Sequence, residues 1–166
     1  MSENTKGTIP SRGEKRSAAR LAAVQALYQM EIASKGLHEV FAEFESFWMG
    51  REIEGDQYKP AEGKLFRAVV EGVLEDQIAI DRKVDELLSG WPLKRVEAIM
   101  RAVLRAGAFE LLHRKDVPVR VAVSEYVDIA SAFLERDEVG MINAVLDKLA
   151  QEVRAEELAR PAQRGA

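Results

Sequence analysis

Apolar residues recur along most of this chain at intervals of three and four, which is the period of an amphipathic helix. The pattern is clearest in residues 11–32, 37–48, 60–88, 93–113, 119–134 and 139–153. No segment shows the strict alternation of apolar and polar residues that is typical of a half-buried strand. The sequence therefore predicts an all-α protein, a bundle of about seven helices if a bend divides residues 60–88.

Glycine and proline residues divide this helical pattern. The Ser-Gly-Trp-Pro run at residues 89–92 predicts a boundary between two packed subdomains, residues 11–90 and 91–154. Polar composition and proline predict a disordered tail at residues 1–10 and a flexible tail at residues 155–166. Residues 119–134 are apolar on nearly every side, so we expect this helix at the centre of the bundle.

The composition excludes several classes of protein. The 166 residues are 47% hydrophobic, yet no apolar run approaches the roughly 20 residues that span a membrane. Cysteine is absent, which excludes disulfides and thiolate metal sites and fits a reducing cytoplasm. The net charge of −4 argues against a uniformly basic protein, but residues 1–20 hold five Lys or Arg against two Glu. This asymmetry predicts an acidic body with a basic N-terminal patch.

Candidate catalytic and metal-binding residues are few. The histidines His38 and His113 are not in a His-Glu-x-x-His spacing. The sequence contains no glycine-rich phosphate loop and no Gly-x-Ser-x-Gly motif. We therefore expect no cofactor, no metal site and no enzymatic activity.

The basic residues of the first helix are the strongest candidates for a binding surface. Arg12, Arg16 and Arg20 are four residues apart, so their guanidinium groups are expected to share one face, with Lys15 beside them. Cations at a helix N-terminus oppose the helix dipole at a cost of up to about 1 kcal/mol, which a bound polyanion would more than offset. From the spacing alone, plain solvation of these side chains is the more economical alternative.

Four motifs, in the same order, resemble those of the NusB family of transcription antitermination factors. DVPVRVAVSEYVDIA at residues 116–130 and MINAVLDKLA at residues 141–150 resemble the family's D-V-P-x-x-V-A-I-N-E-x-x-E-x-A and F-[VI]-N-G-V-L-D-K helices. AVQALY at residues 23–28 looks like part of its first helix. VLRAGAFEL at residues 103–111, with Trp-Pro upstream, looks like its I-L-R-x-A-x-Y-E-L segment. The resemblance spans about residues 12–150.

The resemblance implies a non-catalytic factor that acts in the transcription complex. Members of the family bind the boxA element of nascent ribosomal RNA, as a single strand, together with NusE, a small-subunit ribosomal protein. The arginine-rich first helix is the family's main RNA contact. By resemblance, the RNA-binding residues here are Arg12, Lys15, Arg16 and Arg20.

A second RNA-proximal region of the family is the turn before its last helix. This turn corresponds to residues 137–141 and implies RNA contacts for Asp137 and Met141. Gly140-Met141 stands where the family commonly has Lys-Phe, and methionine has no ring face on which a base can stack. The RNA preference is therefore expected to differ or to depend more on NusE.

The helix at residues 93–113 lies towards the partner protein in family members. Met100 stands at a position that is often acidic in the family, so Met100, Arg101 and Arg105 are candidates for a protein-partner face. Ordinary core packing of Met100 is the alternative.

Two other functions are compatible with the sequence: a helical protein-interaction adaptor and an RNA-binding module that serves rRNA modification. The aromatic row at residues 41–48 fits core packing better than base stacking, but leaves open whether the protein is a monomer or a homodimer.

Overall fold

A computed structural model describes residues 12–53 and 60–160, with side chains at residues 15–46, 62–94 and 96–160. Within these ranges the all-α prediction is confirmed, and no strand is present. The helices are α1 (Arg12–Ile32), α2 (Leu37–Ile53), α3 (Pro60–Glu75), α4 (Gln77–Leu87), α5 (Ala98–His113), α6 (Val119–Phe133), α7 (Arg136–Val153) and α8 (Ala155–Ala159). A short 3-10 segment, Leu93–Arg95, precedes α5. The predicted tail at residues 1–10 lies outside the described residues, as do residues 161–166.

The segment at residues 60–88 has the bend that the sequence analysis allowed for, and it forms two helices that meet at Asp76. Two other helix boundaries differ from the prediction. Helix α7 begins at Arg136, because the Glu135 and Glu138 side chains each accept a hydrogen bond from a backbone N–H and form a capping box. Residues 155–159, predicted to lie in a flexible tail, form α8.

Helix α5 lies at the centre of the bundle, and the expectation that residues 119–134 would hold that place is wrong. Helices α1, α3, α4, α6 and α7 all pack on α5. Residues 102–104 and 106–111 of α5 are buried, whereas α6 exposes Ser124 and Asp128. Gly107 permits the close crossing of α5 and α7, since a Cβ atom there would lie 3.0 Å from a methyl group of Leu146.

The aromatic row of α2 contributes to the core, as predicted. Phe41 and Phe44 both pack on Phe66 of α3, with ring centroids 5.7 and 4.8 Å away. The side chains of residues 47 and 48 lie outside the described residues. The buried hydrophobic residues form one cluster that includes Val84 and Val96, on both sides of the boundary predicted near residue 90. The division into two subdomains stays a prediction.

Candidate nucleic-acid interface

A groove of about 600 Å³ lies where α1, α3 and α6 meet the turn between α5 and α6. Its basic lining residues are Arg16 and Arg20 from α1, Lys64 from α3, and Arg114 from the turn. Asp116 and Glu125 also line it. Because these residues come from four separate segments, only the folded bundle brings them together.

Three of the cations are accessible to a ligand. Arg16 and Lys64 are exposed, and Arg114 is half-buried. Arg114 donates hydrogen bonds of 3.1 and 3.2 Å from Nε and Nη2 to the two carboxylate oxygens of Asp116. Partial burial opposes ionisation of Asp116, but Arg114 and, more weakly, Arg16 lower its pKa. The groove therefore presents two accessible guanidinium groups and an ammonium group, with the ionised carboxylate of Asp116 beside Arg114.

The prediction that Arg20 shares an exposed face with Arg16 is wrong. Arg20 is 2% exposed, and its Nε and Nη2 donate hydrogen bonds of 2.8 and 3.0 Å to the carboxylate of Glu110 on α5. Burial lowers the pKa of Arg20, but the hydrogen bond and charge of Glu110 raise it more, so the guanidinium stays ionised. A group held in this way contributes to the wall of the groove and joins α1 to α5.

The Arg20–Glu110 pair belongs to a larger buried network. Tyr126 on α6 donates its hydroxyl hydrogen bond to Glu110. Burial and the charge of Glu110 raise the pKa of Tyr126 well above its usual value, which keeps the hydroxyl protonated. Ser17 hydrogen-bonds Glu125 at 2.7 and 2.8 Å, and Arg20 Nη1 lies 3.7 Å from that carboxylate. The network fixes the position of α1 against α5 and α6.

Lys15 is also turned inward, contrary to the expectation that it would lie beside the arginines on the surface. It is 8% exposed, and its Nζ lies 3.8 Å from Oε1 of Glu62 on α3. Arg12 is the first residue of α1, but its side chain lies outside the described residues. Three of the four cations predicted for this helix have described side chains, and of these three only Arg16 lies on the surface.

Asp137 and Met141 were predicted to lie in a turn before the last helix. They lie instead in the first turns of α7. Asp137 is exposed, whereas Met141 is half-buried and packs against the core. Neither residue lines the basic groove.

The three residues predicted for the partner face also lie in different environments. Met100 is 3% exposed and is part of the core, so its assignment to a surface is wrong. Arg101 hydrogen-bonds Glu31 at the end of α1, with Nε 2.8 Å from Oε1. Arg105 donates hydrogen bonds of 2.8 and 2.9 Å to Asp81 on α4. These pairs line a second cavity of about 430 Å³.

Sequence reasoning missed Lys64 and Arg114. No local pattern marks either residue, because Lys64 lies on α3 and Arg114 directly after α5, and only the folded bundle brings them close to Arg16. The available signal was the polar run that begins at residue 113 and is closed by Pro118, which indicates a loop between two helices.

Among the described residues, no helix has the length and apolar character required to cross a membrane. The same part of the chain holds no group of three or more carboxylate or imidazole side chains suited to a metal ion.

The fold and the groove define an all-helical protein with a basic surface built from several helices. A family model described as the NusB family matches residues 17–151. The chain belongs to the NusB family.

Relatives cover nearly the whole chain. The Transcription antitermination protein NusB of Nitrobacter hamburgensis is 63% identical over 153 residues, which are 92% of this chain and 96% of that protein. The protein of the same name from Bradyrhizobium diazoefficiens is 60% identical over 164 residues, which are 96% of this chain and 99% of that protein.

Solved structures share the fold. The structure of T. maritima NusB has a TM-score of 0.74 at 28% identity, and the match covers 87% of this chain and 97% of that one. A chain in a crystal structure of the antitermination factors NusB and NusE in complex with dsRNA has a TM-score of 0.69 at 22% identity, covering 83% and 97%.

Proposed function

We propose that this chain is a non-catalytic transcription antitermination factor of the cytoplasm, which binds the boxA element of nascent ribosomal RNA together with NusE. The names of its relatives support the antitermination role. A structure of NusB and NusE with dsRNA, which shares the fold, supports RNA and NusE as partners. The observation that carries the proposal is the groove in which Arg16, Lys64 and Arg114 converge.

The groove supplies two kinds of contact that RNA recognition needs. The exposed cations neutralise phosphates and release counterions, so affinity should fall steeply with salt. Asp116 and Glu125 repel phosphates but accept hydrogen bonds from base amino groups. A single strand with unstacked bases presents both its phosphates and its base edges, and it therefore suits this groove better than a duplex does.

The proposed RNA-binding residues are a revised set. Arg16 stays, and Lys64 and Arg114 are added because they line the same groove. Arg20 and Lys15 are left out, since their charged groups face carboxylates inside the protein.

Three further residues that the resemblance implies stay in the proposal, although none of them lines the basic groove among the described side chains. Arg12 is proposed as an RNA contact because it precedes Arg16 by one helical turn. Asp137 is proposed as a second contact because it is exposed at the start of α7, and Met141 as an apolar contact through its accessible part.

We further propose that NusE binds the surface around Arg101 and Arg105. The pairs with Glu31 and Asp81 hold this surface in shape, and the exposed Lys94 lies at its rim. Lys94→Glu should weaken NusE binding and leave the affinity of the isolated chain for RNA unchanged. Equal NusE affinity in this variant would argue against this surface.

The test of the main proposal compares a boxA RNA with a scrambled RNA of equal length, with and without NusE, at two salt concentrations. We expect weak, salt-sensitive binding to boxA by the chain alone and tighter binding when NusE adds its own surface. A protein-only adaptor would bind neither RNA. A module that serves rRNA modification would bind RNA without preference for boxA and without a gain from NusE.

A further inference from the structure

Arg154, at the junction of α7 and α8, is buried although it lies near the C-terminal end of the described chain. It is 4% exposed, and its guanidinium has five N–H donors. Each donor has an acceptor: the carbonyl oxygens of residues 110, 111, 114 and 117 and the carboxylate of Glu157, at 2.6–3.1 Å. A surface arginine at a frayed helix end would not be satisfied in this way.

Four of these acceptors are carbonyl groups at the end of α5 and in the turn that follows it. The last carbonyls of a helix lack partners within the helix, and the guanidinium of Arg154 caps the carbonyl of Leu111 in this way. The carbonyl oxygens of Glu110 and Arg114 accept from Arg154 in addition to the backbone N–H groups of Arg114 and Val117. Arg154 also reaches the carbonyl of Val117, 3.1 Å from Nη1, and so holds both ends of the turn.

Glu157 holds the far side of the same turn. Its Oε2 accepts a hydrogen bond of 2.8 Å from the backbone N–H of Val119, the first residue of α6, while its Oε1 accepts from Arg154. The hydrogen bond from Val119 lowers the pKa of Glu157; partial burial opposes this, and Arg154 lowers the pKa further, so Glu157 stays ionised. The Arg154–Glu157 pair is thus hydrogen-bonded to the end of α5, to the turn and to the start of α6, and it fixes their relative positions.

This turn carries Arg114 and Asp116 into the basic groove. We propose that Arg154 and Glu157 are positioning residues for RNA binding, which hold Arg114 where it meets the phosphate backbone. The inference rests on the proposed function, because it assigns the C-terminal segment a role in the same site. RNA affinity therefore depends on residues that do not touch the RNA.

The first arm of the test does not involve RNA. Amide hydrogen exchange at Val117 and Val119 is compared between the full wild-type chain, Arg154→Lys and Glu157→Ala, with Glu156→Ala on the exposed side of α8 as the matched control. Lysine cannot supply five donors in a plane, so exchange at both amides should accelerate in Arg154→Lys. Glu157→Ala should accelerate exchange at Val119, while Glu156→Ala should match the wild type. Unchanged exchange in both test variants would overturn the inference.

The second arm separates positioning from general destabilisation. The slope of log Kd against log salt for a boxA oligonucleotide should fall by about 0.7 in Arg154→Lys, the amount expected for one lost phosphate contact on a single strand. When Arg154→Lys is added to Arg114→Ala, the slope should not fall further. When it is added to Lys64→Ala, the slope should fall by the same amount as when Arg154→Lys is added to the wild type. A fall that adds to that of Arg114→Ala would contradict the inference.

Glu157→Ala keeps four of the five hydrogen bonds of Arg154 and serves if Arg154→Lys does not fold. A wild-type chain without RNA affinity would overturn the proposed function, and the exchange arm would still decide whether the pair holds the turn.

Discussion

Arg20 on α1 and Glu110 on α5 form a two-point ion pair inside the bundle, with hydrogen bonds of 2.8 and 3.0 Å. Arg16, one turn earlier on the same helix, is exposed in the groove. Two arginines four residues apart therefore have different roles. Arg20 stabilises the packing of α1 on α5, and Arg16 is accessible to a ligand. Mutation of this helix should separate folding from RNA binding.

Replacement of Arg20 should destabilise the protein. Arg20→Met leaves the buried Glu110 without its ionic partner, and we expect the free energy of unfolding to fall by about 3–5 kcal/mol. Chemical denaturation followed by circular dichroism measures the change. Arg16→Met is the matched control and should change stability by about 0.5 kcal/mol or less. Arg20→Met/Glu110→Leu should be more stable than Arg20→Met, and a double variant no better than the single would argue against a buried ion pair.

The stability of the protein should fall at alkaline pH because of Tyr126. The pKa of Tyr126 is raised well above 10.0 in the folded state, so at high pH the folded chain keeps a proton that the unfolded chain releases. The stabilisation is fully present below the unfolded pKa and is lost as the pH rises from about 10 towards the folded value. Denaturation curves at several pH values around 10 should show a steeper loss in the wild type than in Tyr126→Phe. Parallel curves would contradict the assignment.

Two glycines in helices should respond to alanine with opposite signs. A Cβ atom at Gly72 of α3 would lie 2.0 Å from Cε1 of Phe109, so Gly72→Ala forces the ring to move and should cost about 1–3 kcal/mol. At Gly140 of α7, apart from its chain neighbours and its own helix backbone, no atom of the described residues lies within 4 Å of the corresponding position, and alanine should stabilise by roughly 0.5–1 kcal/mol. Thermal unfolding of both variants tests this. Gly72→Ala/Phe109→Leu should recover part of the loss, and a stabilising Gly72→Ala would contradict the packing.

Most of the helices could be predicted from the sequence, because their apolar period depends on local spacing. Their ends were harder to predict. Glu135 and Glu138 form a capping box that starts α7 earlier than expected, and this box uses Glu where Ser or Thr is the usual signal. The central position of α5 could not be inferred from composition, since α6 is equally apolar and only packing distinguishes the two.

The site was predicted only in part, and the reason is the distance along the chain between interacting groups. Spacing by four correctly placed Arg16 and Arg20 near each other on α1, but it could not show that Glu110, 90 residues away, faces Arg20. Lys64 and Arg114 join the groove through tertiary packing alone. The role of Arg154 depends on carbonyl groups, which every residue carries and no sequence pattern reveals.

The salt dependence of RNA binding tests the central claim most directly. The slope of log Kd against log salt for a single-stranded boxA oligonucleotide is measured for the wild type and for Arg16→Gln/Lys64→Gln/Arg114→Gln. A control of equal charge change replaces three exposed cations outside the basic groove, Arg67, Arg82 and Lys148, with Gln. If the groove holds the RNA, the slope falls by about two in the groove variant and stays close to the wild-type value in the control. Equal slopes in the two variants would contradict the account.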